Sequence, residues 1–192
     1  SRRAAAPSPL YYAEKLYLNG NLVTDLVIPD SVTSISDYAF YNCTSLTSIT
    51  IPDGVETSIG EYAFGHCGDL DSVVLGDEVT SIGLYAFDYC YVTDMTINMP
   101  NGGFIYDSAF TTRNSDYGIK NVTFGEGVTK ITARAFSYCT TLETITIPST
   151  LTEIGDYAFF ASSYPCANLK AVYISDLAAW CGITFGNSNQ NH

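Results

Sequence analysis

The tripeptide Tyr-Ala-Phe, or a near variant, recurs six times in this chain. It stands at Tyr38-Ala39-Phe40, Tyr62-Ala63-Phe64, Tyr85-Ala86-Phe87, Ser108-Ala109-Phe110, Arg134-Ala135-Phe136 and Tyr157-Ala158-Phe159. Subtracting the phenylalanine numbers gives spacings of 24, 23, 23, 26 and 23 residues. A period in the twenties means that one short unit cannot close a core alone and must stack on copies of itself. Most repeated residues are therefore there for packing. Function is to be sought in what varies.

Aligned on the phenylalanine, one unit reads Leu46, Ile49, Ile51-Pro52, Val55, Ile59, Tyr62-Ala63-Phe64 and Cys67. The first three slots hold Val23, Leu26, Ile28 in one copy and Leu142, Ile145, Ile147 in another. Apolar residues alternating with Thr or Ser over four or five positions describe a strand buried on one side. Pro29, Pro52, Pro148, Gly76 or Gly125 then stops it. A second extended piece follows (Val32 to Ile35, Val79 to Ile82, Val128 to Ile131, Leu151 to Ile154). Asp37, Glu61 or Asp156 then suits the first turn of a short helix, and Phe and Cys three residues apart share one helical face. Glu56 adds one residue between Val55 and Ile59, and larger insertions follow Phe110 and Phe159. Solenoids tolerate such additions in loops.

The expected fold is an α/β leucine-rich-repeat solenoid with right-handed coils of about 23 residues. It has a parallel sheet on one face and short strands or helices on the other. Residues 1–21 read as an N-terminal segment and capping hairpin, because Asn19-Gly20 between Leu16-Tyr17-Leu18 and Asn21-Leu22-Val23 is a two-residue hairpin signal. Residues 22–174 form the solenoid. Residues 175–192 form a capping helix and tail, with Ser175 or Asp176 as N-cap and Leu177, Trp180 and Cys181 turned inward. All three belong to one structural domain.

The L-x-x-L-x-L pattern resembles a leucine-rich repeat. More narrowly, the run from Ile28-Pro29-Asp30-Ser31-Val32 through Tyr38-Ala39-Phe40-Tyr41-Asn42-Cys43 to Leu46 and Ile49 resembles the BspA-type leucine-rich repeat family, over about Leu22 to Ile174. The flanks, Leu10-Tyr11-Tyr12-Ala13 with Leu16-Tyr17-Leu18 and Asp176-Leu177-Ala178-Ala179-Trp180-Cys181, are similar to junctions between modules of longer members. The resemblance implies a surface or secreted protein of bacteria or protists, and in several members adhesion to host proteins. Gly54 and Ser31 stand where better-known leucine-rich repeats carry Asn after the strand, so no asparagine ladder is expected.

Charge excludes some partners. The chain carries 20 acids against 8 bases, a formal net charge of −12. That sign repels phosphate backbones, and anionic membrane surfaces likewise. No apolar run is long enough for a signal peptide or a membrane span, so any export signal or anchor is expected outside these residues. The expected location is extracellular or at the cell surface.

Chemistry is largely refused. Cys43, Cys67, Cys90 and Cys139 recur in one column, with Cys166 shifted, and read as small buried hydrophobes. Coils about 4.8 Å apart make vertical disulfides conceivable. There is no C-x-x-C pair and no His in repeat register, which argues against zinc. His66 reads as a solvated residue beside Cys67, with no third group to orient a nucleophile, and His192 is terminal. Asp30, Asp53 and Asp77 lie in repeated turns, where Asp serves the backbone. Gly102-Gly103 has no Lys nearby for a phosphate loop. Asn42-Cys43-Thr44 and Asn121-Val122-Thr123 match the glycan acceptor pattern only by being embedded in the repeat. No cofactor, metal or catalysis is expected.

The solvent side of the main sheet remains. Strand alternation puts Asp25, Ser48, Ser72, Asp94, Asn121, Thr144 and Ala171 in one column and Val27, Thr50, Val74, Thr96, Thr123, Thr146 and Tyr173 in another. Seven strands make a face about 30 Å tall. Solenoids commonly bind through such faces, whereas the plainer reading is a solvated sheet rich in strand-forming residues. The expectation is a non-catalytic extracellular protein-binding or adhesion module whose partner is a host or extracellular-matrix protein. The alternatives are a ligand-free spacer in a modular surface protein, and a glycan-binding accessory module of a secreted carbohydrate-active enzyme that uses Tyr106, Tyr117 and Tyr173.

Overall fold

The computed structural model describes residues 9–99, 104–105, 109–110, 118–137, 139–159 and 166–186. Its spine is a seven-stranded parallel sheet in which strands one coil apart pair side by side. The strands are Asp25–Val27, Ser48–Ile51, Ser72–Leu75, Asp94–Ile97, Asn121–Phe124, Thr144–Ile147 and Ala171–Ile174. Their alternation is the physical cause: Ile49, Ile51, Val73 and Leu75 are fully buried while Ser48, Thr50, Ser72 and Val74 are not. The second extended pieces make two further parallel sheets. One holds Ser34–Ile35, Thr57–Ile59, Val79–Ile82 and Phe104–Ile105; the other holds Lys130–Ile131, Glu153–Ile154 and Thr184–Phe185. Next to the extra residue Glu56 the register against the next strand shifts between Thr57 and Ser58, where Thr80 of that strand is passed over.

The Tyr-Ala-Phe arm is not helical, contrary to the expectation from sequence. Three reverse turns follow one another instead: Ala39 N–H donates to Ser36 C=O at 3.1 Å, Tyr41 to Tyr38 at 3.1 Å and Cys43 to Phe40 at 3.1 Å. The peptides between them point across to the next coil, where Tyr38, Phe40 and Asn42 N–H donate to Glu61, Ala63 and Gly65 C=O at 2.9, 2.7 and 2.8 Å. A helix would aim every N–H along one axis and leave the neighbouring coil unbonded. The alternating arrangement satisfies both sets, as buried backbone must. It also requires left-handed φ at Tyr38 (59°) and Asn42 (63°), and the same sign recurs at Tyr62, His66, Tyr85, Tyr89, Arg134 and Tyr157. Non-glycine residues adopt that region only when the surroundings over-determine it. Asp37 serves this scheme rather than a helix cap, since its carboxylate accepts from Glu61 N–H at 2.8 Å.

The core follows from the columns. Phe40, Phe64, Phe87, Phe110, Phe136 and Phe159 stack one on the next with centroids 4.9 to 5.9 Å apart. Each such pair adds about 0.5–1.5 kcal/mol beyond the area it buries. The alanines beside them, Ala63, Ala86, Ala109, Ala135 and Ala158, are fully buried. Close coil spacing explains the small residues: a Cβ on Gly83 would lie 2.6 Å from the Gly60 carbonyl carbon.

The ends differ from expectation. Asn19 and Gly20 do turn a hairpin, with φ of 52° and 81° and Tyr17 opposite Leu22. Yet the hairpin strands are exposed, and the upstream core is covered by Leu10, Leu16 and Val23. A four-residue helix, Leu10–Ala13, carries the first of these. Downstream, Asp176 caps the helix Leu177–Cys181 by accepting from Ala179 N–H at 3.0 Å. Leu177 and Cys181 do not turn inward, however. Leu177 is 69% exposed, Cys181 is exposed, and only Trp180 packs on the core. A turn-and-a-half helix has one narrow inward stripe, and the larger indole occupies it. Beyond the helix, Thr184–Phe185 pairs in parallel with Glu153–Ile154, so the repeat continues past the boundary expected at residue 174.

Candidate functional site

The register makes the two predicted columns real. Asp25, Ser48, Ser72, Asp94, Asn121, Thr144 and Ala171 are successive pairing partners. So are Val27, Thr50, Val74, Thr96, Thr123, Thr146 and Tyr173. All these side chains lie on the solvent side, with none buried. From Thr50 to Thr146 the second-column positions lie between inward neighbours on both sides along the strand, whereas each first-column position has an inward neighbour on one side only.

The first column is knitted across coils. Ser48 Oγ donates to Asp25 Oδ1 at 2.5 Å, and Thr24 Oγ1 to Asp25 Oδ2 at 2.9 Å. These two bonds, the Ser48 one first, hold the Asp25 carboxyl below its ordinary range. Farther along, Asn121 Nδ2 donates to Asp94 Oδ1 at 3.0 Å and accepts from Thr144 Oγ1 at 2.8 Å. Asn121 thereby links three successive coils across the face. The second column carries hydroxyls, methyl groups and, at its two ends, Val27 and Tyr173, 59% and 57% exposed.

Sequence reading missed a third row. The residue just before each strand lines the same edge, and in the downstream coils it is charged: Lys120, Glu143 and Lys170. Lys170 Nζ reaches Glu143 Oε2 at 2.7 Å and holds that carboxyl below its ordinary range, with Lys120 contributing less. Upstream the same row holds Thr24, Thr47, Asp71 and Thr93, and the first-column acids Asp25 and Asp94 stand beside it. The face is therefore acidic at one end and mixed at the other. The available signal was the slot just after the first apolar residue of every unit.

The other candidates resolve into structure. Among the described residues no group of His, Cys, Asp and Glu could hold a metal ion. The cysteines are free, and Cys43, Cys67, Cys90 and Cys139 are buried. They act as more than small hydrophobes. Cys67, Cys90 and Cys139 Sγ–H donate to the carbonyls of Phe40, Phe64 and Phe110, one coil back, at 3.3, 3.1 and 3.2 Å. This thiol ladder gives the Phe carbonyls of the preceding coil a donor. Contact with Cys90, then burial, pushes the Cys67 thiol well up; burial does the same to Cys139 and takes Cys166 to about 11. Such thiols are poor nucleophiles and metal ligands.

His66 is not the solvated side chain expected from sequence. It is half-buried between Tyr41 and Tyr89, with ring centroids 4.9 and 4.4 Å away, and burial lowers its pKa. The left-handed backbone at His66 aims it into that stack. Asp53 does serve a turn, accepting from Asp77 N–H at 3.1 Å, while Asp77 accepts from Gly54 N–H at 2.7 Å. Tyr106, Tyr117, Gly102, Gly103 and His192 lie outside the described residues. No helix among the described residues is long and apolar enough to cross a membrane.

Solved structures share this architecture. A leucine-rich repeat protein from Bacteroides ovatus ATCC 8483 is similar at 26% identity and a TM-score of 0.52, over 90% of this chain and 46% of that one. One from Eubacterium ventriosum ATCC 27560 is similar at 24% identity and 0.53, over 82% and 43%. The T. pallidum leucine rich repeat protein matches at 21% and 0.52, over 85% and 73%. The chain thus spans less than half the length of the first two. No curated protein sequence matches it. Six copies of the BspA type leucine rich repeat region match residues 13–114 and 104–181. The chain therefore belongs to the BspA-type leucine-rich-repeat family.

Proposed function

We propose that this chain is a non-catalytic, extracellular binding module that engages a host or extracellular-matrix protein through the solvent side of its main sheet. The observation that supports this reading is the pair of columns in continuous register over seven strands. A partner meets a face whose first column is partly fixed by cross-coil hydrogen bonds, which lowers the conformational entropy lost on docking. Hydroxyls, methyl groups and a terminal tyrosine offer apolar contact with hydrogen bonding, the mixture found in protein interfaces. The surface location rests on the family resemblance.

The test is binding of the 192-residue chain to a panel of immobilised matrix proteins and glycans. Saturable binding to a matrix protein is expected, weakened at least about tenfold by Thr50→Lys with Thr96→Lys and Thr146→Lys, since lost apolar contacts and buried charge cost over 1.4 kcal/mol together. Absence of saturable binding to every panel member would leave the spacer reading. Binding confined to glycans would favour the carbohydrate-accessory reading.

A further inference from the structure

Charge is divided unevenly along this solenoid. Between Lys15 and Arg113 the sequence carries 13 acids and neither Lys nor Arg, whereas residues 113–192 carry 6 acids and 5 bases. The division reaches the outward face of the main sheet. Asp25 lies on the first strand and Asp71 just before the third, both exposed. Lys120 and Lys170 stand just before the fifth and seventh, also exposed. Downstream the chain answers its own charge, since Lys170 bonds Glu143 one coil away at 2.7 Å. Upstream it supplies hydroxyls instead. Asp25 accepts from Ser48 and Thr24, and Thr47 and Thr93 flank Asp71 in its row.

We infer that the partner of this face is a proline-rich protein segment in the polyproline II conformation, lying along the solenoid axis with its cations over the upstream coils. The inference rests on the sheet face being the binding surface, and it names what that surface selects. Spacing argues for the conformation. Coils recur about every 4.8 Å, so alternate coils stand about 9.6 Å apart. Three residues of polyproline II rise about 9.3 Å, so one side of that helix keeps step with alternate coils. An α-helix, with a pitch of about 5.4 Å, drifts about 0.6 Å at every coil. An extended strand repeats about every 6.8 Å and matches neither one coil nor two. Charge argues for the sequence. Asp25, Asp71 and Lys120 are each two coils from the next, so they meet partner residues i, i+3 and i+6. Complementarity then calls for a cation, a second cation and an acid. Val27, Thr50, Val74 and Thr96 offer methyl groups to the prolines between. Polyproline II is largely formed before it binds, so little ordering entropy is lost. The acidic upstream half also attracts such a segment from a distance, most strongly at low salt.

Fluorescence anisotropy with two labelled nine-residue peptides tests it. One is Lys-Pro-Pro-Lys-Pro-Pro-Glu-Pro-Pro; the other keeps those charges and has Gly-Ser in place of each Pro-Pro. The 192-residue chain is expected to bind the proline peptide at least about tenfold more tightly than the Gly-Ser one. Asp25→Asn with Asp71→Asn should weaken the proline peptide at least about tenfold. Raising salt from about 50 to 500 mM should cost the native chain more affinity than that variant. Asp71→Lys should reject the peptide and regain affinity for a version whose second lysine is glutamate. Both positions are exposed, so the variants fold, which circular dichroism checks. Equal affinity for the two peptides overturns the inference, as does proline-peptide binding that survives Asp25→Asn with Asp71→Asn. If neither peptide binds while a matrix protein still does, and loses affinity on the threonine-to-lysine changes, this inference fails and the sheet-face reading stands. Absence of all binding sinks both.

Discussion

At the upstream end of the solenoid Ile28 is 3% exposed, whereas Ile174, in the same slot of the last strand, is 38% exposed. The repeat is alike at both places; what differs is the chain around it. Upstream, Leu10, Leu16 and Val23 fold back over the first coil, and Leu16 N–H and the Thr44 hydroxyl tie that segment to it through Ser45 Oγ and Glu14 C=O, at 3.4 and 3.3 Å. Downstream, the helix Leu177–Cys181 brings only Trp180 to the core, and Phe185 meets that indole edge-on at 5.9 Å. A coil offers each neighbour one apolar side, so an end coil is stable only insofar as something else covers that side. The upstream end has its cover within the described chain. The downstream end has half of one.

The largest expected effect concerns thiols. Cys181 at the open end should react with an aromatic disulfide reagent immediately in the native protein. Cys43, fully buried at the covered end, should react on the order of a thousandfold more slowly, since it needs the fold to open. Comparable rates would show the upstream cover to be loose. Next come the two isoleucines. Ile28→Ala should cost about 2–4 kcal/mol in denaturant melts, and Ile174→Ala about half that or less, because it removes a side chain already partly in water. Equal costs would erase the contrast.

A smaller effect lies between the ends. Thr57 is fully buried with its hydroxyl unpaired, at the point where Glu56 was inserted. Thr57→Val should stabilise the chain by about 1 kcal/mol, read as a raised melting midpoint, because it removes a desolvated polar atom without changing shape. The smallest effect is in acid. His66 binds a proton less readily folded than unfolded, so stability begins to fall as pH drops below 6.5. Glu143 and Asp25 are held below their ordinary values of 4.5 and 3.8, so each favours the fold above those values and ceases to as pH falls through its lowered one. Amide exchange should therefore quicken near His66 first, then at the Lys170–Glu143 edge, and at Asp25 last. The reverse order would contradict these assignments.

Much of this was legible in the residues. Ile49, Ile51 and their equivalents, alternating with Ser48 and Thr50, specify strand, face and register together, because a slip by one residue would bury every hydroxyl. Asn19-Gly20 specifies its hairpin for the local reason that both positions need positive φ. The Tyr-Ala-Phe arm was not legible. Asp37 followed by Ala39 and a Phe–Cys pair three apart reads locally as a helix start, and nothing in one unit shows that alternate peptides bond to the coil beyond. The same holds for the site. Its columns could be read from alternation, but the Asp94–Asn121–Thr144 chain joins residues 23 and 27 positions apart and exists only once coils are stacked.

The sequence by itself determined the period, the strands, the buried columns and the outward residues, since each depends on spacing within one unit. The tertiary structure alone decided the left-handed turns at Tyr38 and its equivalents, the thiol ladder onto the Phe carbonyls, the stacking of His66 and the unequal covering of the two ends. Those features are contacts between coils. A backbone donor's partner, or the shelter over an end, lies some twenty residues away along the chain and only about 5 Å away in space.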